Sequence, residues 1–128
     1  MKIFLLVDDS PVIRKVAGRI LKDVGFIVVE ASDGPEALEV CRNNMPDAIL
    51  VDWDLPSMTG IEFISEFNRM EGSVDTRIVY CTSELMISEM TKAKRAGCHG
   101  FMMKPFNREI LLHKIAEAAI TPENTEAA

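Results

Sequence analysis

Five residues of this chain carry groups suited to phosphoryl chemistry, and each closes a short apolar run: Asp8 and Asp9 after Phe4-Leu5-Leu6-Val7, Asp52 after Ile49-Leu50-Val51, Thr82 after Val79-Tyr80-Cys81, and Lys104 after Met102-Met103. Taken singly, each is ordinary. An acidic pair after a strand is a common turn, a β-branched threonine suits a sheet, and lysines are usually solvated. Their joint placement is the informative feature. In a parallel α/β sheet the carboxyl ends of the strands open onto one edge, so residues distant in sequence meet in one crevice. Three carboxylates, a hydroxyl and an ammonium gathered there are the equipment for placing a phosphoryl group on an aspartate. Two carboxylate charges about 4 Å apart repel by about 4 kcal/mol at an effective dielectric near 20. Such a cluster calls for a cation, and magnesium, held by one or two carboxylates with water and phosphate, suits it.

The elements that must position these residues can be read from pattern. Ile3 to Val7 is a strand. Ser10 caps a helix that starts at Pro11, presents Ile13, Val16, Ala17, Ile20, Leu21 and Val24 on one face and closes at Gly25. Ile27 to Ala31 is a second strand, followed by a helix from Gly34 to about Asn44 with capping-box spacing at Asp33 and Glu36. Ala48 to Asp52 is the third strand. Thr59 and Glu62 cap a helix from Gly60 to about Met70, and Gly72 to Thr76 is a turn. Arg77 to Thr82, a helix faced by Met86, Met90 and Ala93 and stopped by Gly97, Gly100 to Met103, and a helix from Asn107 to about Ala119 complete the order. Lys104-Pro105 suits a fixed turn and a cis peptide.

Five strands that are apolar throughout, alternating with five helices, predict a doubly wound (βα)5 fold with both sheet faces covered. The flavodoxin-like strand order 2-1-3-4-5 sets the crevice beside strands one and three, which end in Asp8, Asp9 and Asp52.

Composition narrows the class. The chain has 128 residues, 48% hydrophobic and 27% charged, which fits one globular domain. We expect a domain over 1–120, a polar tail over 121–128 and no output domain. The net charge of −6 disfavours direct contact with nucleic acid or anionic membrane. No apolar run nears the ~20 residues of a membrane span. Cys41, Cys81 and Cys98 are odd in number and lack metal-ligand spacing, which reads as reduced thiols in a cytoplasmic protein.

The set Asp8-Asp9, Ala31-Ser32-Asp33-Gly34, Asp52-Trp53-Asp54-Leu55-Pro56-Ser57-Met58-Thr59-Gly60, Thr82-Ser83 and Lys104-Pro105 resembles the receiver domain of two-component response regulators, particularly the single-domain chemotaxis and phosphorelay type. The resemblance spans residues 2 to 120. It implies a phosphoacceptor that assists its own phosphorylation and dephosphorylation rather than an enzyme. Asp52 would be the acceptor, with Lys104 and Thr82 beside it. Magnesium would be held by Asp9, Asp52 and the backbone carbonyl of Asp54, with Asp8 acting through the metal's water. Thr82 and Phe101 would form the switch, Phe101 keeping the packing of the tyrosine familiar at that point but not its hydroxyl. The implied partners are a sensor histidine kinase or histidine phosphotransfer protein, and a downstream protein docking at the fourth helix, fifth strand and fifth helix.

Met86, Met90, Met102 and Met103 suit either that docking surface or plain core. Lys92, Lys94 and Arg95 suit a solvated face or the steering of an acidic partner. Asp54 and Glu84 would frame the entrance to Asp52. A haloacid-dehalogenase-type phosphatase is the main alternative, because Asp52-x-Asp54 has its nucleophile-x-acid spacing. Such enzymes, however, carry that motif early and their acidic pair late. A flavin-binding module is a weaker alternative, since the acidic first loop lacks a phosphate cradle. A receiver that has lost phosphorylation is weaker still, because all five chemical residues are present.

Overall fold

A computed structural model describes residues 1–84 and 86–122, so residues 123–128 of the expected polar tail lie outside the described residues. Five parallel strands, β1 (Ile3–Val7), β2 (Ile27–Ala31), β3 (Ala48–Asp52), β4 (Arg77–Thr82) and β5 (Gly100–Met103), form one sheet in the order β2-β1-β3-β4-β5. The helices between and after them are α1 (Pro11–Asp23), α2 (Gly34–Asn43), α3 (Gly60–Phe67), α4 (Ile87–Ala96) and α5 (Arg108–Glu117), with a 3-10 turn at Ser73–Asp75. The doubly wound fold expected from the sequence is the observed one.

Alternation along the strands divides the core in two. Leu5, Val7, Ile49, Val51, Ile78 and Tyr80 point to one face, where Ala37, Leu38 and Cys41 of α2, Phe63, Ile64 and Phe67 of α3, and Ala93 of α4 cover them. Phe4, Leu6, Ala48, Leu50, Val79 and Cys81 point to the other, under Ala17 and Leu21 of α1 and Leu111 and Ile115 of α5. Both faces of the central strands are therefore dry, which explains runs without polar alternation. In register, β1 lies between β2 and β3, with Val7 opposite both Ala31 and Val51. This brings the end of β1 beside the end of β3.

Helix entry follows the sequence closely. Ser10 Oγ accepts from the Ile13 amide ahead of Pro11. Thr59 and Glu62 close a reciprocal capping box at α3, with bonds of 3.1 and 2.9 Å. At α2 only half of the expected box forms. Asp33 accepts from the Glu36 amide, but the Glu36 carboxylate takes the Ser32 amide instead of that of the cap.

Two further expectations are corrected. Helix α3 ends at Phe67 rather than near Met70, because Asn68 leaves the helix and its side-chain amide donates to the Ala96 carbonyl at the end of α4. Val16 is 45% exposed, whereas Gly18 is buried: the inner stripe of α1 runs through Ala17, Gly18 and Leu21. At the other helix ends, Gly25 and Gly97 take positive φ of 109° and 121°.

Candidate functional site

The carboxyl ends of β1, β3, β4 and β5 deliver the five residues singled out above. Asp8 and Asp52 are buried and Asp9 is exposed, yet an oxygen from each lies within 4.8 Å of the other two. Lys104 spans the buried pair, its Nζ 2.7 Å from Asp8 Oδ2 and 3.0 Å from Asp52 Oδ1. The Lys104 N–H donates to the Thr82 carbonyl at 2.8 Å, and the Lys104-Pro105 peptide is cis.

Asp52 Oδ1 is fully buried and has no well-aligned hydrogen bond among the described residues, so Lys104 serves it as a counter-charge. Burial pushes the Asp52 carboxyl above its ordinary pKa. The Lys104 ammonium pulls the other way without cancelling the rise, and the Asp8 charge adds to it. For Lys104, burial opposes the charge, but the carboxylates of Asp8 and Asp52 outweigh it and hold the ammonium above its usual value. The site is a carboxylate pair kept together by one cation, with Asp9 as a third, solvent-facing oxygen source. Three clustered carboxylates, hard oxygen donors of which one faces solvent, fit a magnesium-type cation.

Two backbone features fix Asp52. The Trp53 amide donates to the Cys81 carbonyl at 2.9 Å, and the Gly60 amide donates to the Trp53 carbonyl at 3.0 Å. A Cβ at Gly60 would run into the Asp52 carbonyl oxygen, so only glycine lets α3 start so close to β3. Sequence reading assigned Gly60 to the helix start without this role.

Thr82 is buried, and its hydroxyl donates to the Glu84 carbonyl at 2.9 Å and accepts from the Glu84 amide at 3.2 Å. It is thus engaged with its own loop rather than with Asp52. Phe101 is half-buried and packs edge-on against Tyr80, with ring centroids 6.4 Å apart. Trp53, Asp54 and Glu84 are exposed around the crevice. Met102 is core, whereas Met86 and Met103 are exposed at 52% and 41%, and Met90 is half-buried. Lys92, Lys94 and Arg95 are all exposed.

Sequence reading also passed over Arg14. From the first turn of α1, it bonds the Asp8 carbonyl at 2.7 Å and pairs with Glu30 at 3.0 Å. Nothing in its spacing separates it from the other basic residues of α1. The three cysteines are free and buried, and burial pushes the thiols of Cys41 and Cys81 up to about 12 and that of Cys98 up to about 11, which leaves them unreactive.

Residues 4–116 match the model of the response regulator receiver domain. The chain belongs to that family. The chemotaxis protein CheY of Pseudomonas aeruginosa is 34% identical to this receiver over 90% of the chain and 93% of its own length. The solved structure of CheY4 from Vibrio cholerae superposes with a TM-score of 0.86 at 36% identity, covering 92% of this chain and 98% of that one. A response regulator from Burkholderia pseudomallei, solved with a phosphorylated aspartic acid, a calcium ion and citrate, gives a TM-score of 0.82 at 28% identity, covering 93% of this receiver and 69% of that chain.

Membership makes this chain a phosphoacceptor signalling module of the two-component type, with a histidine kinase as the implied partner class, and sets it apart from the phosphatase and flavin-binding alternatives. Among the described residues no helix is long and apolar enough to cross a membrane.

Proposed function

We propose that this receiver takes a phosphoryl group from the phosphohistidine of a sensor kinase or phosphotransfer protein onto Asp52, and signals by phosphorylation-dependent binding or by passing the group onward. The observation that carries the reading is the buried Asp52 carboxylate, its Oδ1 3.0 Å from the Lys104 ammonium and clustered with Asp8 and Asp9. The Burkholderia pseudomallei relative, solved with a phosphorylated aspartic acid and a calcium ion, supports it.

In this reading Asp9, Asp52 and the Asp54 backbone carbonyl would hold magnesium, with Asp8 helping through the metal's water. When bound, the ion neutralises charge on the transferred group. The remaining roles belong to the chain itself. An Asp52 oxygen attacks phosphorus in line while the phosphorus–nitrogen bond to histidine breaks, and the electron pair leaves with the imidazole. Lys104 moves its charge-assisted bond from the carboxylate pair to a phosphoryl oxygen. The new acceptor oxygens offer Thr82 an alternative to its bonds with Glu84, and Phe101 follows the loop. The output face is α4, β5 and α5, where Met86, Ile87, Met103 and Ile110 leave apolar surface exposed.

Asp52→Asn decides the assignment. Incubation of the parent with acetyl phosphate and magnesium should add one phosphoryl group by intact mass, and the variant should gain none. Persistent stoichiometric labelling of the variant at another carboxylate would overturn the reading.

A further inference from the structure

Asp8 is held on every side. Its N–H donates to the Ala31 carbonyl at 3.1 Å, its Oδ1 accepts from the Ser10 amide at 2.9 Å, and its Oδ2 meets Lys104 at 2.7 Å. Its carbonyl takes the Arg14 Nη1 at 2.7 Å. The Arg14 side chain is only 18% exposed, and its Nε is anchored on Glu30 of β2 at 3.0 Å. The Asp8 carbonyl belongs to the planar peptide that leads into Asp9. Whatever fixes that plane fixes where the Asp9 Cα sits and the axis about which its side chain can swing, although Asp9 itself is exposed.

We propose that Arg14 is a positioning residue for Asp9: by clamping the Asp8-Asp9 peptide from an anchor on Glu30, it holds the Asp9 carboxylate in the cation-binding cluster. This rests on the reading of that cluster as a magnesium site. The guanidinium presents both bonds from one rigid fork, a geometry a lysine cannot reproduce.

The sign of the effect separates positioning from charge. Arg14 brings positive charge toward a site meant for a cation, so on electrostatics alone its removal leaves magnesium binding unchanged or tighter. Loss of a clamp makes binding weaker. Removing the outer partner of a metal ligand typically costs 10- to 100-fold in affinity, and about tenfold is expected here because Asp52 and Asp54 would still contribute.

The experiment titrates magnesium into the full chain, following Trp53 fluorescence, for the parent, Asp9→Ala, Arg14→Ala, Arg14→Lys and Glu30→Gln, with circular dichroism confirming that each is folded. Arg14→Ala is expected to bind about tenfold more weakly, with Arg14→Lys and Glu30→Gln between it and the parent. Its phosphorylation by acetyl phosphate should return to near the parental rate at saturating magnesium. Affinity equal to or tighter than the parent in Arg14→Ala overturns the proposal while leaving the magnesium site standing. Should Arg14→Ala fail to fold, parental affinity in both Arg14→Lys and Glu30→Gln overturns it equally. A parent whose titration matches that of Asp9→Ala overturns the magnesium reading itself, and the proposal with it.

Discussion

Asp52 is held at the site at the expense of stability. Its carboxyl is raised by burial and by Asp8, so in the window between its ordinary value of 3.8 and the raised one the folded state binds more protons than the unfolded state. Stability therefore falls as pH rises through that window and stays lowered above it. Asp52→Asn removes the charge but keeps the shape. We expect it to raise the midpoint of thermal unfolding at pH 7 and to flatten the pH dependence of that midpoint on the acid side, as read by differential scanning calorimetry. A lower midpoint for the variant at pH 7 would mean that Lys104 compensates Asp52 more fully than the geometry indicates. Residue types and strand-end spacing were enough to bring Asp8, Asp9, Asp52, Thr82 and Lys104 to one edge of the sheet. They did not show that Thr82 is bonded to Glu84 or that Arg14 holds the Asp8 carbonyl, because both contacts depend on loop and side-chain directions that no periodicity encodes.

The helices whose ends frame the crevice are set by their caps. The Thr59 and Glu62 box starts α3 immediately after the loop that carries Asp54, so its loss loosens the loop as well as the helix. Thr59→Ala should destabilise the fold by about 1 kcal/mol, measured by urea unfolding with an unchanged m value. Gly60→Ala should cost more, since a Cβ there meets the Asp52 carbonyl rather than solvent. It should also slow phosphorylation, which Thr59→Ala affects less. Equal rates in the two variants would show that the close approach is not coupled to the acceptor. All ten regular elements were legible because apolar runs, caps and glycine stops agreed. The boundaries that moved were governed by tertiary contacts: Asn68 ends α3 by reaching across to α4, and Val16 faces outward because Gly18 takes the buried position on α1.

For the molecule as a whole, the proposed signalling would need chemistry at β3 to change the surface of α4, β5 and α5. Moving a two-state population from 1:99 to 99:1 takes about 5.5 kcal/mol of differential stabilisation. A bond to a charged group supplies about 1.5 to 3 kcal/mol, so one such bond from Thr82 leaves the shift incomplete, and other contacts must add to it. Thr82→Ala should still accept phosphate at Asp52 yet show smaller chemical-shift changes from Ser83 to Phe106 on phosphorylation. Undiminished changes would place the coupling elsewhere. Magnesium should also act on the entire fold: at a hundredfold excess over its dissociation constant it should add about 2.7 kcal/mol to unfolding free energy. That gain should vanish in Asp9→Ala, and its persistence there would put the ion at another site.

The sheet order carries one more consequence. Lys104 follows β5, a strand of four residues at the margin of the sheet that pairs with β4 alone, whereas Asp8 follows β1 and Asp52 ends β3, strands each paired on both sides. A pulling force applied through the segment after β5 would peel that strand first and draw the ammonium away from the acidic pair while β1 and β3 were still joined. Under mechanical load the receiver would lose its chemistry before it lost its shape.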